Sequence, residues 1–339
     1  MMKKNVAIVW GGYSSEKVIS EKSAAGIYSF IDKEKYNVFK VKIDRTSWEA
    51  EARGCLYPVD KNNFSFTDSD NRHIRFDFAY ITIHGTPGED GTLQGYFDML
   101  GIPYSNCGVL ASALTFNKFI CNSFLKNFGI EVANSILLRK DDTCQPDEVI
   151  SRLGLPVFVK PNLGGSSFAT TKVKERAQLE TAVEEAFREA QEVIIESFLQ
   201  GTEVTCGCLK TDKGMTVLPL TEVVTTNEFF DFDAKYNGQV EEITPARLSE
   251  ETTLAIQQET ERIYHLTGAK GIIRVDYILV GNRPVLLEVN TTPGMTATSF
   301  VPQQVNAAGL SMTNIITEII ETELVHFNPR QCYDNDNNK

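Results

Sequence analysis

Ten residues, Gly271 to Val280, read GIIRVDYILV. So apolar a run is a strand buried on at least one face, yet it carries Arg274 and Asp276 at its centre, and charges placed there need partners. The turn Gly281-Asn282-Arg283-Pro284 leads into a second strand, residues 285–290, on which Glu288 and Asn290, two apart, point their oxygens to one face. For Asp276 to lie opposite Glu288, the ladder needs an odd-length turn or a bulge. Gly281 or Asn282 in a left-handed conformation is one source of it. Three hard oxygen donors on one surface, with positions left for water and phosphate, suit Mg²⁺. The plainer alternative is a structural ion pair between Arg274 and Asp276.

The remainder of the chain alternates strand-like and helix-like patterns. At 339 residues it is well over the length of about 150 residues that one core usually serves, so two or three domains are expected. Residues 6–10, 38–43 and 78–83 are short apolar runs with helical segments between them, the pattern of an α/β unit with a mostly parallel sheet. A hairpin over 64–76 interrupts it. A helix over 92–100 is stopped by Gly101 and Pro103, another over 115–128 by Gly129, and a boundary falls near Asn106. A second unit has strands at 135–138, 156–160, 169–173 and 193–198 and helices at 146–153 and 175–190. The third opens on long strands, 203–210 and 215–224, followed by a polar and aromatic loop over 225–245, long enough to be a lid. A helix over 249–266 precedes the Arg274 strand, helices at 302–308 and 311–324 end the fold, and the tail after Phe327 is too polar to pack.

Composition excludes several function classes. A formal charge of −12 repels nucleic acid and anionic lipid. The four histidines are far apart, which removes a histidine-built zinc site. Seven scattered cysteines without a CxxC pair read as reduced thiols of a cytoplasmic protein, with Cys206 and Cys208 filling one face of a buried strand. No apolar stretch has the length of a membrane span.

Other segments carry chemistry. Lys160 ends an apolar strand and precedes Gly164-Gly165-Ser166-Ser167, a loop whose backbone N–H groups can form a nest for phosphate oxygens. It is not a Walker A loop, and a plain hairpin turn is the alternative. The strand 193–196 leads through Leu199 to Glu203, a pattern that can hold adenine at the Glu196–Leu199 backbone edge and ribose hydroxyls at the Glu203 carboxylate. Glu16 follows Trp10-Gly11-Gly12-Tyr13-Ser14-Ser15 at a strand-to-helix turn, as either a dipole partner or a ligand for a substrate ammonium. His84 opens the segment His84-Gly85-Thr86-Pro87-Gly88-Glu89-Asp90-Gly91 at the carboxyl end of a sheet strand, where α/β proteins bind ligands. It reads equally as a core histidine.

Six of these pieces, in one order, resemble the ATP-grasp ligases and, within them, the D-alanine:D-alanine ligase family. They are Gly11-Gly-x-Ser-x-Glu16, Ile83-His-Gly-x-x-Gly-Glu-Asp-Gly91, Lys160-Pro-x-x-x-Gly-Ser-Ser167, Phe232-Asp-Ala-Lys-Tyr236, Arg274-Val-Asp276 and Glu288-Val-Asn-Thr-Thr-Pro-Gly-Met-Thr296. The resemblance covers nearly the whole chain. It implies a three-domain ATP-grasp fold: a Rossmann-like N-terminal domain (1–106), a central subdomain (107–200), a C-terminal subdomain (201–327) with a lid over 225–245, and a polar tail (328–339).

It also implies roles. ATP phosphorylates the carboxylate of one D-alanine, and the amine of a second attacks the acyl phosphate. Lys118 and Lys160 would hold the nucleotide phosphates, and Gly165, Ser166 and Ser167 would close over the transferred group. Asp276, Glu288 and Asn290 would hold two Mg²⁺ or Mn²⁺ ions. Arg274 and the Gly294 N–H would face the oxyanion, Glu16 the first ammonium, and Ser299 with Lys235 the second substrate. An acyl phosphate needs shelter from water, and Ser166, Tyr236 and Glu16 are expected to hydrogen-bond across the closed site. The family is usually dimeric, so a homodimer is implied.

Departures are Phe230 and Phe232, where relatives often carry tyrosine, and the stretch Ala297-Thr298-Ser299-Phe300, which lacks a histidine or leucine common there. A D-alanine:D-lactate ligase is the nearest competing reading, and Tyr236 speaks against it, because members favouring D-lactate tend to carry Phe or His. A nicotinamide-dependent oxidoreductase lacks its GxGxxG. A non-catalytic nucleotide-binding regulator would bind ATP without D-alanine-dependent phosphate release.

Overall fold

The computed structural model describes residues 3–165, 169–225 and 240–327. The first sheet has the order β4-β3-β2-β1-β7, built from β1 (Lys4–Gly11), β2 (Tyr36–Ile43), β3 (Trp48–Ala52), β4 (Cys55–Pro58) and β7 (Phe78–Ile81). β1 pairs in parallel with β2, to which helix α1 (Lys17–Phe30) is the crossover, and on its other side in parallel with β7. β3 and β4 extend the sheet antiparallel. That extension is absent from the sequence reading: Glu49 and Glu51 break the apolar signal, and the turn rests on Arg53 and Gly54, both at positive φ, the two-residue hairpin geometry. The expected hairpin is β5 (Ser65–Thr67) with β6 (His73–Arg75). Around it Phe64, Phe66 and Phe76 are buried and meet Phe97 of helix α2 (Thr92–Leu100) through the ring of Phe64.

Where one helix over 115–128 was expected, the structure has two, α3 (Val109–Phe116) and α4 (Lys118–Lys126), with Asn117 extended between them. The Asn117 side chain accepts from the Ile120 N–H as an N-cap and from Asn162 Nδ2. Asn162 also binds the backbone N–H groups of Lys118 and Phe119. The break therefore fixes Lys118 against the β9 end of the second sheet.

The second sheet, β10-β9-β11-β8, is antiparallel and consists of β8 (Ser135–Arg139), β9 (Val157–Pro161), β10 (Thr171–Val173) and β11 (Glu192–Ser197). Helices α5 (Pro146–Leu153) and α6 (Leu179–Glu189) close its own core, in which Val157, Val159, Leu179, Val183 and Ile195 are buried.

The third sheet contains β12 (Thr202–Thr211), β13 (Gly214–Val217), β14 (Thr221–Thr225), β15 (Val240–Ile243), β16 (Ile272–Val280) and β17 (Arg283–Asn290), in the order β15-β14-β12-β16-β17 with β13 also on β12. The single strand expected over 215–224 is two, because Pro219 between them has no N–H to give to the ladder. Alternation separates the faces. Val204, Cys206, Cys208, Val275 and Tyr277 pack with Ile256 and Ile263 of α7 (Glu250–Thr267), while Thr205, Arg274 and Asp276 face the other way.

One core joins the first and third sheets: Val6, Ile8 and Ile27 pack with Leu209, Val301 and Ile316, the last two from α8 (Phe300–Ala307) and α9 (Met312–His326). Gly26 sits on α1 at this seam, where an added Cβ would lie 2.0 Å from the Met295 carbonyl oxygen. Gly→Ala in a free helix stabilises by about 1 kcal/mol. Here the sign reverses: Gly26→Ala is expected to destabilise by about 2 kcal/mol, read as a lowered urea midpoint.

Candidate active site

Arg274 lies opposite Asn290, and Asp276 opposite Glu288. The two-residue turn Gly281-Asn282 closes the hairpin, and the register shift falls between Asp276 and Tyr277, where Leu287 is the extra residue. The bulge at Leu287 thus arises five residues beyond the turn that is its expected source. It brings four polar side chains to one face. Arg274 grips Asp276 with both arms, Nε to Oδ1 at 2.8 Å and Nη2 to Oδ2 at 2.7 Å. Asp276 also accepts from Thr205 Oγ1 at 2.6 Å and Asn290 Nδ2 at 2.9 Å, and Lys118 Nζ stands 3.6 Å from Glu288 Oε2. The ion pair and the row of oxygens are therefore one arrangement rather than alternatives. Its donors are oxygen only, two carboxylates beside an amide that can turn its own oxygen inward, and Lys118 already brings positive charge to Glu288. This set fits a hard divalent cation. Among the described residues no cluster of three or more His, Cys, Asp or Glu side chains gathers, since the third donor is asparagine.

These groups line a cleft of about 1100 Å³. Across it, Lys160 on β9 pairs with Glu196 on β11 at 2.6 Å, and Asn122 Nδ2 also reaches Glu196. Lys118 donates to the Gly164 carbonyl. Leu199, Glu203, Gly165, Gly294 and Ser299 line the same cleft. Ser299, preceding α8, exchanges a hydrogen bond with Thr296 Oγ1 at 2.8 Å.

Glu16 is the N-cap residue of α1 and is buried. A methyl on Gly165 would lie 3.0 Å from its Oε1, and one on Gly85 3.3 Å from its Oε2, so two backbones from distant segments close on one carboxylate. His84, expected to cap a strand running to Ile83, lies beyond β7. Its Nε2 is 3.1 Å from Ser23 Oγ, which accepts from the Met295 N–H. Burial, and secondarily the Arg274 charge, lowers the imidazole to about 4, so His84 is neutral near pH 7. Ser166, Ser167, Lys235 and Tyr236, with the expected Ser166–Tyr236–Glu16 contact and the Phe230 and Phe232 departures, lie outside the described residues.

Sequence reasoning assigned no role to Glu89, although it lies within the 83–91 motif. It accepts from the Gly85 N–H at 2.7 Å, and burial, followed by the neighbouring Glu16 charge, raises its carboxyl. An acid four residues after a glycine turn is the signal that could have found it. Ser23 and Asn162 carry no local signal, because their partners are far along the chain.

Two sheets that face each other over a cleft, lysines on one side and a carboxylate row on the other, place the chain in the ATP-grasp class. A family model described as the D-ala D-ala ligase N-terminus matches residues 5–107, and one for the D-ala D-ala ligase C-terminus matches 124–321. The chain belongs to the D-alanine–D-alanine ligase family. It is 64% identical to the D-alanine–D-alanine ligase of Parabacteroides distasonis, over 95% of this chain and 98% of the relative. Among solved structures it resembles the VanG D-Ala:D-Ser ligase from Enterococcus faecalis (TM-score 0.85, 31% identity, covering 95% of this chain and 100% of that one). It also resembles the Bacillus anthracis ligase complexed with ATP (TM-score 0.77, 29% identity, covering 96% and 98%). Among the described residues no helix is long and apolar enough to cross a membrane.

Proposed function

We propose that the chain joins two molecules of D-alanine into D-alanyl-D-alanine at the expense of ATP, releasing ADP and phosphate, for peptidoglycan precursor synthesis. The observation that carries this reading is the convergence in one cleft of Glu16, the Arg274–Asp276–Glu288–Asn290 row and the lysines 118 and 160. The relatives' names agree with it. In the reaction the carboxylate of the first D-alanine takes the γ-phosphoryl group, and the amine of the second displaces phosphate through a tetrahedral intermediate.

Each role answers a physical need. Lys118 and Lys160 compensate the phosphate charge, and the 164–167 loop offers N–H groups to the transferred group, where positioning and charge carry most of the catalysis. Arg274, held in one orientation by its two hydrogen bonds to Asp276, and the Gly294 N–H are preorganised donors for the oxyanion. Buried Glu16 receives the first ammonium, while Ser299 and Lys235 serve the second substrate. The Glu196–Leu199 edge takes adenine and Glu203 the ribose. Asp276, Glu288 and Asn290 would hold two Mg²⁺ or Mn²⁺ ions, whose chemistry is charge neutralisation on the phosphates. We read His84 as orienting the first-substrate side through Ser23, Ser166 and Tyr236 as closing the site, and the assembly as a homodimer.

The test is phosphate release by the purified chain with Mg²⁺ and ATP. It is expected to require D-alanine and to respond poorly to D-lactate at neutral pH; release indifferent to D-alanine would sink the reading.

A further inference from the structure

Glu242 of β15 lines the cleft, partly open to solvent, and is paired in the sheet with Val223 of β14. Its Oε2 accepts from Gln303 Nε2 at 2.6 Å. Gln303 lies in the first turn of α8, where its N–H binds the Ser299 carbonyl. Its side chain folds back so that the same Nε2 also donates to the Thr298 carbonyl at 2.7 Å. One amide thus bridges the edge strand of the sheet to the turn that presents Ser299, and Thr298, Ser299 and Phe300 all face the cleft. The Phe300 ring in turn lies under the Arg274 guanidinium, 5.3 Å from its centroid.

We propose that Glu242, acting through Gln303, is a positioning residue for the acceptor substrate: it fixes the Thr296–Phe300 turn and hence the Ser299 hydroxyl. The inference rests on the ligase reading above. A charged acceptor makes this hydrogen bond stronger than a neutral one, and its short reach leaves the turn little freedom. In the ligase reading the turn that Glu242 and Gln303 hold carries Ser299, assigned to the acceptor, and neither Glu16 nor His84, assigned to the donor, so their loss acts mainly on one of two identical substrate molecules. A role confined to stability would weaken both binding steps alike.

The experiment is initial-rate kinetics of the full chain over a wide D-alanine range at saturating ATP and Mg²⁺, resolved into donor and acceptor KM values. Glu242→Ala is expected to raise the acceptor KM about tenfold while the donor KM and the KM for ATP change by less than about twofold. Glu242→Gln keeps an oxygen for Gln303 and is expected to stay within about threefold of the wild type. Gln303→Leu is expected to reproduce the alanine effect, and the double variant to be no worse than either single one. An unchanged acceptor KM in Glu242→Ala, equal rises in both D-alanine constants, or additive effects in the double variant would each overturn the inference while leaving the ligase reading intact. A wild-type chain without D-alanine-dependent phosphate release overturns both.

Discussion

Arg274→Met is expected to lower ligase turnover about a thousandfold and to destabilise the fold by about 3–5 kcal/mol. Methionine keeps most of the stem's volume, so packing against Phe300 is largely preserved. It removes both arms of the fork on Asp276, whose side chain is 6% exposed. Thr205 and Asn290 remain as donors, but neither is charged, and a buried carboxylate without its counter-ion accounts for the stability loss. Adding Asp276→Asn removes the orphaned charge and is expected to restore most of the urea midpoint. The loss of turnover has a different origin, the missing donor at the oxyanion, and is measured as D-alanine-dependent phosphate release at a temperature where the single variant is still folded. Arg274→Lys is expected to recover stability better than turnover, because an ammonium restores charge but not the planar fork. Wild-type turnover in a folded Arg274→Met protein would remove this residue from the chemistry.

The same hairpin indicates how far the sequence could be read. The face shared by Asp276 and Glu288 follows from strand alternation, and the need for an irregular register follows from counting. The position of the bulge does not, because Leu286 and Tyr277 both pack into the core beneath α7 and the extra residue, Leu287, is displaced to fit them. Local signals fared well wherever the cause was local. α2 spans Thr92–Leu100 and ends at Gly101 with φ of 67°, as its Gly and Pro stops require. They were weak where the cause was distant: the break at Asn117 is held by Asn162, 45 residues later, and the N-cap asparagine itself is the one local sign of it. The β3–β4 extension failed for a third reason, since an edge hairpin with Glu49 and Glu51 facing out needs little apolar sequence. For the site, the order of motifs implied that distant segments converge. What it left out were the groups that hold those segments together, Ser23 under His84 and Glu89 under Gly85.

Lys160 raises the same separation of structural from chemical role on the opposite wall of the cleft. It is 9% exposed and Glu196 4%, with 2.6 Å between Nζ and Oε2, and among the described residues the other side-chain donor to Glu196 is Asn122, at a weak 3.4 Å. Lys160→Met therefore leaves a buried carboxylate almost uncompensated and is expected to cost about 3–5 kcal/mol of stability. It is also expected to weaken ATP binding about thirtyfold, through the lost charge-assisted bond to phosphate. Glu196→Gln added to it removes the stranded charge, so the double variant is expected to recover most of the stability and none of the nucleotide affinity. The single variant Glu196→Gln supplies the control for any part that this side chain itself plays in binding. Urea melts read the first quantity and calorimetric titration with ATP and Mg²⁺ the second. If the double variant bound ATP as tightly as the Glu196→Gln control, Lys160 would be the counter-ion of Glu196 and nothing more, and the phosphate charge would fall to Lys118, which already stands between Gly164 and Glu288.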